Sequence, residues 1–138
     1  MKRRVFAVSA AIVILNGLTA LPASAHHSFA AAFDANALIT VQGVITQVKL
    51  ANPHSWIYLD VKDASGKVAQ WGFEAQTPTA LIRSGVKPDV FKVGSTVTIR
   101  GCHARDVTKN EGAAREIVLA DGRSFIIGPK GNEPDANR

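Results

Sequence analysis

The chain has 138 residues, with 16 basic and 11 acidic side chains, a formal net charge of +5 and a single cysteine. Three of the basic residues lie in the N-terminal segment, so the rest of the chain has 13 basic and 11 acidic residues and no run of basic residues. The composition therefore argues against nucleic-acid binding. One cysteine cannot form an internal disulfide, so a hydrophobic core must hold the fold together.

The first segment has the organisation of a signal peptide. Residues 2–4 are basic, residues 5–18 are mostly apolar, and Ala23-Ser24-Ala25 is a small-residue cleavage site. The apolar stretch is short against the roughly 20 residues that a membrane span needs. We therefore predict a signal peptide over residues 1–25, cleavage after Ala25, a periplasmic or secreted location, and no membrane span in the mature protein.

Cleavage after Ala25 makes His26 the first residue of the mature chain, followed by His27. A terminal histidine offers its α-amino group and its ring Nδ1 to one ion, and such nitrogen sets suit Cu(II). The free α-amino group titrates near ~8, so copper can displace its proton at neutral pH. Cleavage after Ala23 would instead make His26 the third residue of the mature chain, and a histidine at that position also binds Cu(II) well. The alternative is that both histidines lie solvated in an N-terminal arm, residues 26–37, without a role.

The next segments alternate with the period of β-strands. Residues 39–48 predict a first strand, bent by a bulge at Gly43, where the apolar parity changes. Asn52-Pro53 predicts a turn, and residues 54–61 predict a second strand. Its outward face carries His54, Trp56 and Tyr58.

These three side chains are the candidate functional residues of the second strand. His54 is either a third metal ligand or a strand-start residue that donates to a turn carbonyl. Trp56 and Tyr58 lie where OB-type barrels bind bases or sugars, and their alternative is packing beneath the arm or the tail.

The rest of the chain completes a small β-barrel pattern. A third strand is predicted over 68–75, and a short helix begins with Thr77 as N-cap and Pro78 at its first position. Further strands are predicted at 96–100, 114–119 and 123–127, before a tail over 129–138 that is predicted to be disordered. This order predicts an all-β, OB-type barrel of five to six strands over 38–128. A β-sandwich is the structural alternative.

No catalytic arrangement stands out in the sequence. Cys102 and His103 are adjacent, and adjacent strand residues face opposite sides of a sheet. A nucleophilic cysteine needs a base and an orienting group, which nothing in the sequence places nearby. Burial is the expected fate of Cys102, and a disulfide between two chains is the alternative. We therefore predict a binding module and not an enzyme. A metal-dependent redox enzyme built on the N-terminal histidine is the least favoured of the hypotheses.

His26-His27-Ser28-Phe29 and Asn52-Pro53-His54-Ser55-Trp56 are the most distinctive motifs. Together with Trp71-Gly72-Phe73-Glu74 and the late Asp121-Gly122-Arg123, they make the chain resemble a family of small exported bacterial proteins of unknown function. The resemblance covers nearly all of residues 25–127. It implies an OB-like fold and a periplasmic location, it favours His26, His27 and His54, and it implies no activity. Cys102 and His103 lie outside its pattern.

Two functional hypotheses follow. The first is a periplasmic OB-like module that binds copper or a similar ion through His26, His27 and His54. The second is a metal-free module that binds a protein or a glycan with the Trp56/Tyr58 face.

Overall fold

A computed structural model of the protein describes residues 26–129, with side chains from residue 29 onward. The predicted signal peptide and residues 130–138 of the predicted tail lie outside the described residues. Two short helices and a 3-10 turn accompany six strands. The helices are α1 (His26–Ala32) and α2 (Pro78–Arg83), and the 3-10 turn is Pro88–Phe91. The strands are β1 (Phe33–Lys49), β2 (Ser55–Lys62), β3 (Val68–Ala75), β4 (Thr96–Ala104), β5 (Glu111–Leu119) and β6 (Ser124–Ile126).

The six strands form one sheet in the order β3-β2-β1-β4-β5-β6. A parallel pairing of β3 with β5 closes the first five strands into a barrel, whereas the other pairings are antiparallel. Helix α2 and the 3-10 turn connect β3 to β4. This is the strand order of an OB-type barrel, so the predicted all-β, barrel-like fold is confirmed. Thr77 caps α2 as predicted, because its hydroxyl accepts a hydrogen bond from the Ala80 N–H at 3.2 Å.

Strand β1 is long enough to serve both halves of the barrel. Its residues pair with β4 from Phe33 to Val44, and with β2 from Val44 to Lys49. At Gly43 a Cβ atom would lie 2.6 Å from the carbonyl oxygen of Asp60, so the close approach of β2 requires glycine there. The irregular register lies between Ile45 and Gln47, so the bulge predicted at Gly43 is displaced by a few residues along the strand.

Residues 26–37, predicted as an arm, are divided between α1 and the beginning of β1. Phe33 pairs with Ala104, and it is buried against the outside of β4. The contact joins residues that are far apart in sequence, so local alternation gives no sign that the first strand begins before residue 39.

The main core fills the barrel with inward side chains from the first five strands. Leu81 of α2 and Val90 of the 3-10 turn close one end of this core. Its fully buried large side chains include Ile45, Ile57, Leu59, Phe73, Ile99 and Ile117.

A second, smaller cluster lies on the outer face of β4 and β5. Because Ile99 points into the core, the alternation of β4 directs Cys102 and Ala104 outward. Phe33 and Phe29 cover them, with ring centroids 5.3 Å apart. This cluster holds α1 against the outside of the barrel. Cys102 is buried within it, as predicted.

Candidate functional site

His54 lies immediately before β2, where the chain leaves the loop that contains the cis peptide bond Asn52–Pro53. Its Nδ1 contacts Oε1 of Glu74 on β3, with side chains 36% and 20% exposed respectively. The pair therefore lies at the surface of the barrel, with Glu74 the more deeply placed partner. The contact leaves Nε2 as the ring nitrogen available to a ligand.

Burial raises the pKa of Glu74, and the neighbouring His54 opposes that shift. The half-buried carboxylate thus relies on the imidazole to compensate for lost hydration. An imidazole that donates Nδ1–H to a carboxylate presents the lone pair of Nε2 in a fixed direction. This carboxylate–histidine arrangement is the one that typically supports metal-binding histidines.

Glu74 is absent from the sequence-based candidates, although a signal for it exists. The short loop between β2 and β3 fixes their register, which pairs Trp56 with Glu74 and Ser55 with Ala75. When this register is extended from the predicted hairpin, Glu74 lies opposite Trp56 and therefore close to His54, which comes two residues earlier. Alternation alone assigns Glu74 to the outer face but names no partner.

Trp56 and Tyr58 lie on the same outer face, half-buried and packed on each other. Their ring centroids are 6.2 Å apart and their planes differ by 20°. The ammonium of Lys49 lies 5.2 Å from the Tyr58 ring centroid, in range of a cation–π interaction. Gly72 of β3 pairs with Tyr58, and both aromatic rings lie close to its backbone, since a Cβ there would be 3.3 Å from the Tyr58 ring and 3.5 Å from the Trp56 ring.

His26 and His27 form the first turn of α1, and their side chains lie outside the described atoms. The helix they begin packs through Phe29 against Cys102 and Ala113. Ala113 in turn pairs with Glu74 across β5 and β3. Adjacent strands lie about 4.8 Å apart, so the strand that carries Ala113 lies directly beside the strand that carries Glu74.

Cys102 and His103 point to opposite sides of β4, as predicted. The His103 ring packs edge-on against Trp71, with centroids 5.5 Å apart, and its Nδ1 lies 2.8 Å from the carbonyl oxygen of Ala104. Burial raises the pKa of the Cys102 thiol, which lies on the outer face of the barrel and is covered by α1. The two side chains therefore do not form one site.

No cluster of three or more His, Cys, Asp or Glu suited to a metal ion occurs among the side chains that the structure describes, a set that excludes those of His26 and His27. Within residues 26–129, no helix has the length and apolar character needed to cross a membrane.

A family model matches residues 15–114, which is well over half of the chain. That range includes the His-His-Ser-Phe segment at residues 26–29 and the Asn-Pro-His-x-Trp segment at residues 52–56. No curated protein matches the chain. The protein belongs to this family, DUF6152, a family of unknown function.

Proposed function

We propose that this protein is an exported, periplasmic binding module that holds Cu(II), or an ion of similar preference, through His26, His27 and His54. The observation that carries the proposal is the contact of His54 Nδ1 with Glu74, on a strand that neighbours the cluster against which α1 packs. The pair supplies a pre-oriented imidazole nitrogen, and α1 begins with the two other histidines.

The ligand set that we propose consists of nitrogen atoms. After cleavage at Ala25, the α-amino group and Nδ1 of His26 chelate the ion, and Nε2 of His54 supplies a third nitrogen. His27 provides a further imidazole. This donor set matches the tetragonal nitrogen coordination that Cu(II) prefers.

Anchoring of α1 supports this assignment. His26 lies three residues before Phe29, a rise of roughly 4.5 Å along a helix. Because Phe29 packs against the outer cluster, the new amino terminus is tethered close to the sheet instead of hanging from a long arm. A tethered terminus loses less conformational entropy when it binds an ion together with His54.

We propose binding in preference to catalysis because of the arrangement of Cys102 and His103. A nucleophilic cysteine requires a base within hydrogen-bond reach, and this pair faces opposite sides of β4.

The test begins with the exported and processed protein. Mass spectrometry first establishes whether His26 is its amino terminus, and Cu(II) is then titrated while the d–d absorption and the EPR signal are followed. A matched form carries an acetylated α-amino group on His26, which removes one arm of the chelate and leaves the sequence unchanged. We expect the processed form to bind more tightly and with a nitrogen-rich EPR signature. Equal, weak binding by the two forms would contradict the metal proposal.

A second titration separates His54 from a terminal chelate acting alone. His54→Gln is expected to weaken Cu(II) binding, whereas His103→Gln, on the inner side of β4, is its matched control and is expected to leave binding unchanged. Circular dichroism establishes that both variants are folded. An unaltered affinity in His54→Gln removes this residue from the site.

The second candidate function is a metal-free interaction module for a glycan or a protein. It is favoured by the near-parallel Trp56 and Tyr58 rings on the outer face, with Lys49 beside them. The corresponding face of OB-type barrels binds oligosaccharides and oligonucleotides. Titration of oligosaccharides in the presence of a chelator, followed by tryptophan fluorescence, tests it: saturable binding that Trp56→Ala abolishes would support this function.

A further inference from the structure

A groove of about 460 Å³ lies on the outer face, between α1 and the segment that follows β6. Its apolar lining includes Phe29, Leu38, Cys102, Ala113, Ile126 and Pro129. The volume falls within the range of small-molecule sites, which are concave and mostly apolar with a few polar groups. The groove is formed by β1, β4, β5 and β6 and does not include His54 or the Trp56/Tyr58 pair.

Two large side chains mark the walls of this groove. Leu38 of β1 is 64% exposed and Ile126 of β6 is 53% exposed, on opposite sides of the lining. Between them, Cys102 and Ala113 form a floor of small side chains. Exposed apolar surface that is gathered around a concave floor typically marks a binding site.

One side of the groove is charged. Nη1 of Arg100 donates to Oε2 of Glu116 at 3.0 Å, and the Arg100 side chain remains 57% exposed. A guanidinium has five N–H donors, and this bond uses one of them, so the ion pair orients Arg100 without exhausting it. Arg115 also lines the groove.

The apolar and charged parts lie in sequence along β4. Arg100, Cys102 and Ala104 project from the same outer side of the strand, and Phe29 packs beyond Cys102. From Arg100 to Ala104 an extended strand spans roughly 13 Å. A ligand that fits must therefore be narrow, apolar over most of its length and anionic at one end.

We propose that this groove binds an unbranched, medium-chain fatty acid. The carboxylate pairs with the guanidinium of Arg100, a geometry that allows two parallel hydrogen bonds. The acyl chain lies over Cys102 and Ala113, between Leu38 and Ile126, with its end toward Phe29. This site shares Phe29 with the anchoring of α1 but uses none of the proposed metal ligands, so either site can exist without the other.

The test is a titration of the processed, delipidated protein with decanoate, followed by amide chemical shifts. We expect saturable shifts confined to residues that line the groove. Decanol and decyltrimethylammonium serve as probes of the head group, and both are expected to bind about tenfold or more weakly, since they lack the charged acceptor for Arg100. Equal binding of the three compounds overturns the proposal.

Matched arginine variants test the head-group contact. Arg100→Gln is expected to weaken decanoate binding by about tenfold or more. Arg123→Gln is the control, because Arg123 forms a similar exposed pair with Asp121 at 2.8 Å and does not line the groove. Alkylation of Cys102 in the wild-type protein gives a second readout that requires no variant: decanoate is expected to slow it, and an unchanged rate contradicts the proposal.

Two further measurements distinguish other occupants of the groove. In a chain that ends at Pro129, decanoate affinity is expected to be unchanged; binding that appears only after residues 130–138 are removed would assign the groove to the chain's own tail. Gel filtration of wild type and Leu38→Glu is expected to give the same monomer. A wild-type dimer that Leu38→Glu dissociates would identify the groove as an interface between copies and overturn the fatty-acid proposal.

Discussion

His54 and Glu74 depend on each other at the scale of single residues. Burial raises the pKa of Glu74, and the imidazole is the group that offsets the cost of its ionisation. The carboxylate in turn contacts Nδ1 of His54, and Nε2 takes no part in that contact. A change in either residue therefore alters the orientation of the other, even without a bound ligand.

Glu74→Leu removes the acceptor for His54 Nδ1 while keeping an apolar side chain of similar size at the position. We expect the Cu(II) affinity to fall by about 10–100-fold, as for other residues that orient a metal-binding histidine. In the metal-free protein, nitrogen chemical shifts of His54 are expected to show loss of the Nδ1–H tautomer. Glu111→Leu, on the neighbouring strand, is the control. An unchanged tautomer would show that Glu74 does not orient the ring.

Cys102 offers a pH-dependent readout of the outer cluster. Its raised pKa means that less thiolate is present at neutral pH than in a solvated cysteine, because burial disfavours the charged form. Alkylation by iodoacetamide is expected to be slow at neutral pH, and its rate is expected to rise only at a more alkaline pH than for a free thiol. Mass spectrometry measures the rate, and the protein in denaturant is the reference. A native rate that equals the denatured rate at neutral pH would contradict burial beneath α1.

At the scale of elements, α1 and β1 act as a continuous unit. The helix ends at Ala32 and the strand begins at Phe33, which is buried on the outside of β4. The Ala32 carbonyl accepts a hydrogen bond from the Arg105 N–H at 2.9 Å. One short junction therefore fixes α1 to the end of β4, and Phe29 adds the packing contact.

Phe29→Ala tests this anchoring. Because Phe29 is partly buried outside the main core, we expect a loss of about 1 kcal/mol or less in the free energy of global unfolding. Amide exchange in α1 is expected to accelerate, and Cu(II) binding by the processed protein is expected to weaken, since the terminus is no longer tethered. Ile82→Ala, at an exposed position of α2, is the control. Unchanged exchange in α1 would show that Phe29 does not hold the helix.

At the scale of the whole molecule, closure of the barrel depends on the parallel contact of β3 with β5. Phe73 pairs with Gly112 in that contact and is fully buried. A Cβ on Gly112 would lie 3.0 Å from the Phe73 ring, so the ring fills the space next to the neighbouring strand. The same side chain thus contributes to the core and to closure.

Phe73→Ala is expected to destabilise the protein by about 3–5 kcal/mol, the range for a large aromatic side chain removed from a core. Urea unfolding followed by far-UV circular dichroism measures the change. Val107→Ala, at an exposed loop position, provides the comparison and is expected to unfold near the wild-type midpoint. Two variants with equal midpoints would show that the β3–β5 contact is not central to stability.

The succession of strands and the short helix along the chain could be predicted from the sequence because it depends on local signals. Alternation defines most strands, and turn residues such as Gly66, with φ of +83°, define their ends. Helix α1 and the early start of β1 could not be predicted from local signals. They depend on the packing of Phe29 and Phe33 against a cluster that comes from a distant part of the chain and includes Cys102 and Ala104. To predict that Glu74 contacts His54, the register between β2 and β3 is needed as well as the alternation of side chains.

Under the proposed cleavage after Ala25, the position of α1 implies an order of events during biogenesis. The helix begins at His26, directly after the predicted cleavage site, and it is packed on the barrel through Phe29. A peptidase needs its substrate as an extended, accessible chain, and a docked helix does not offer one at the adjoining residue. With cleavage at the proposed site after Ala25, release from the leader is expected to precede the docking of α1, which would couple maturation to the last step of folding.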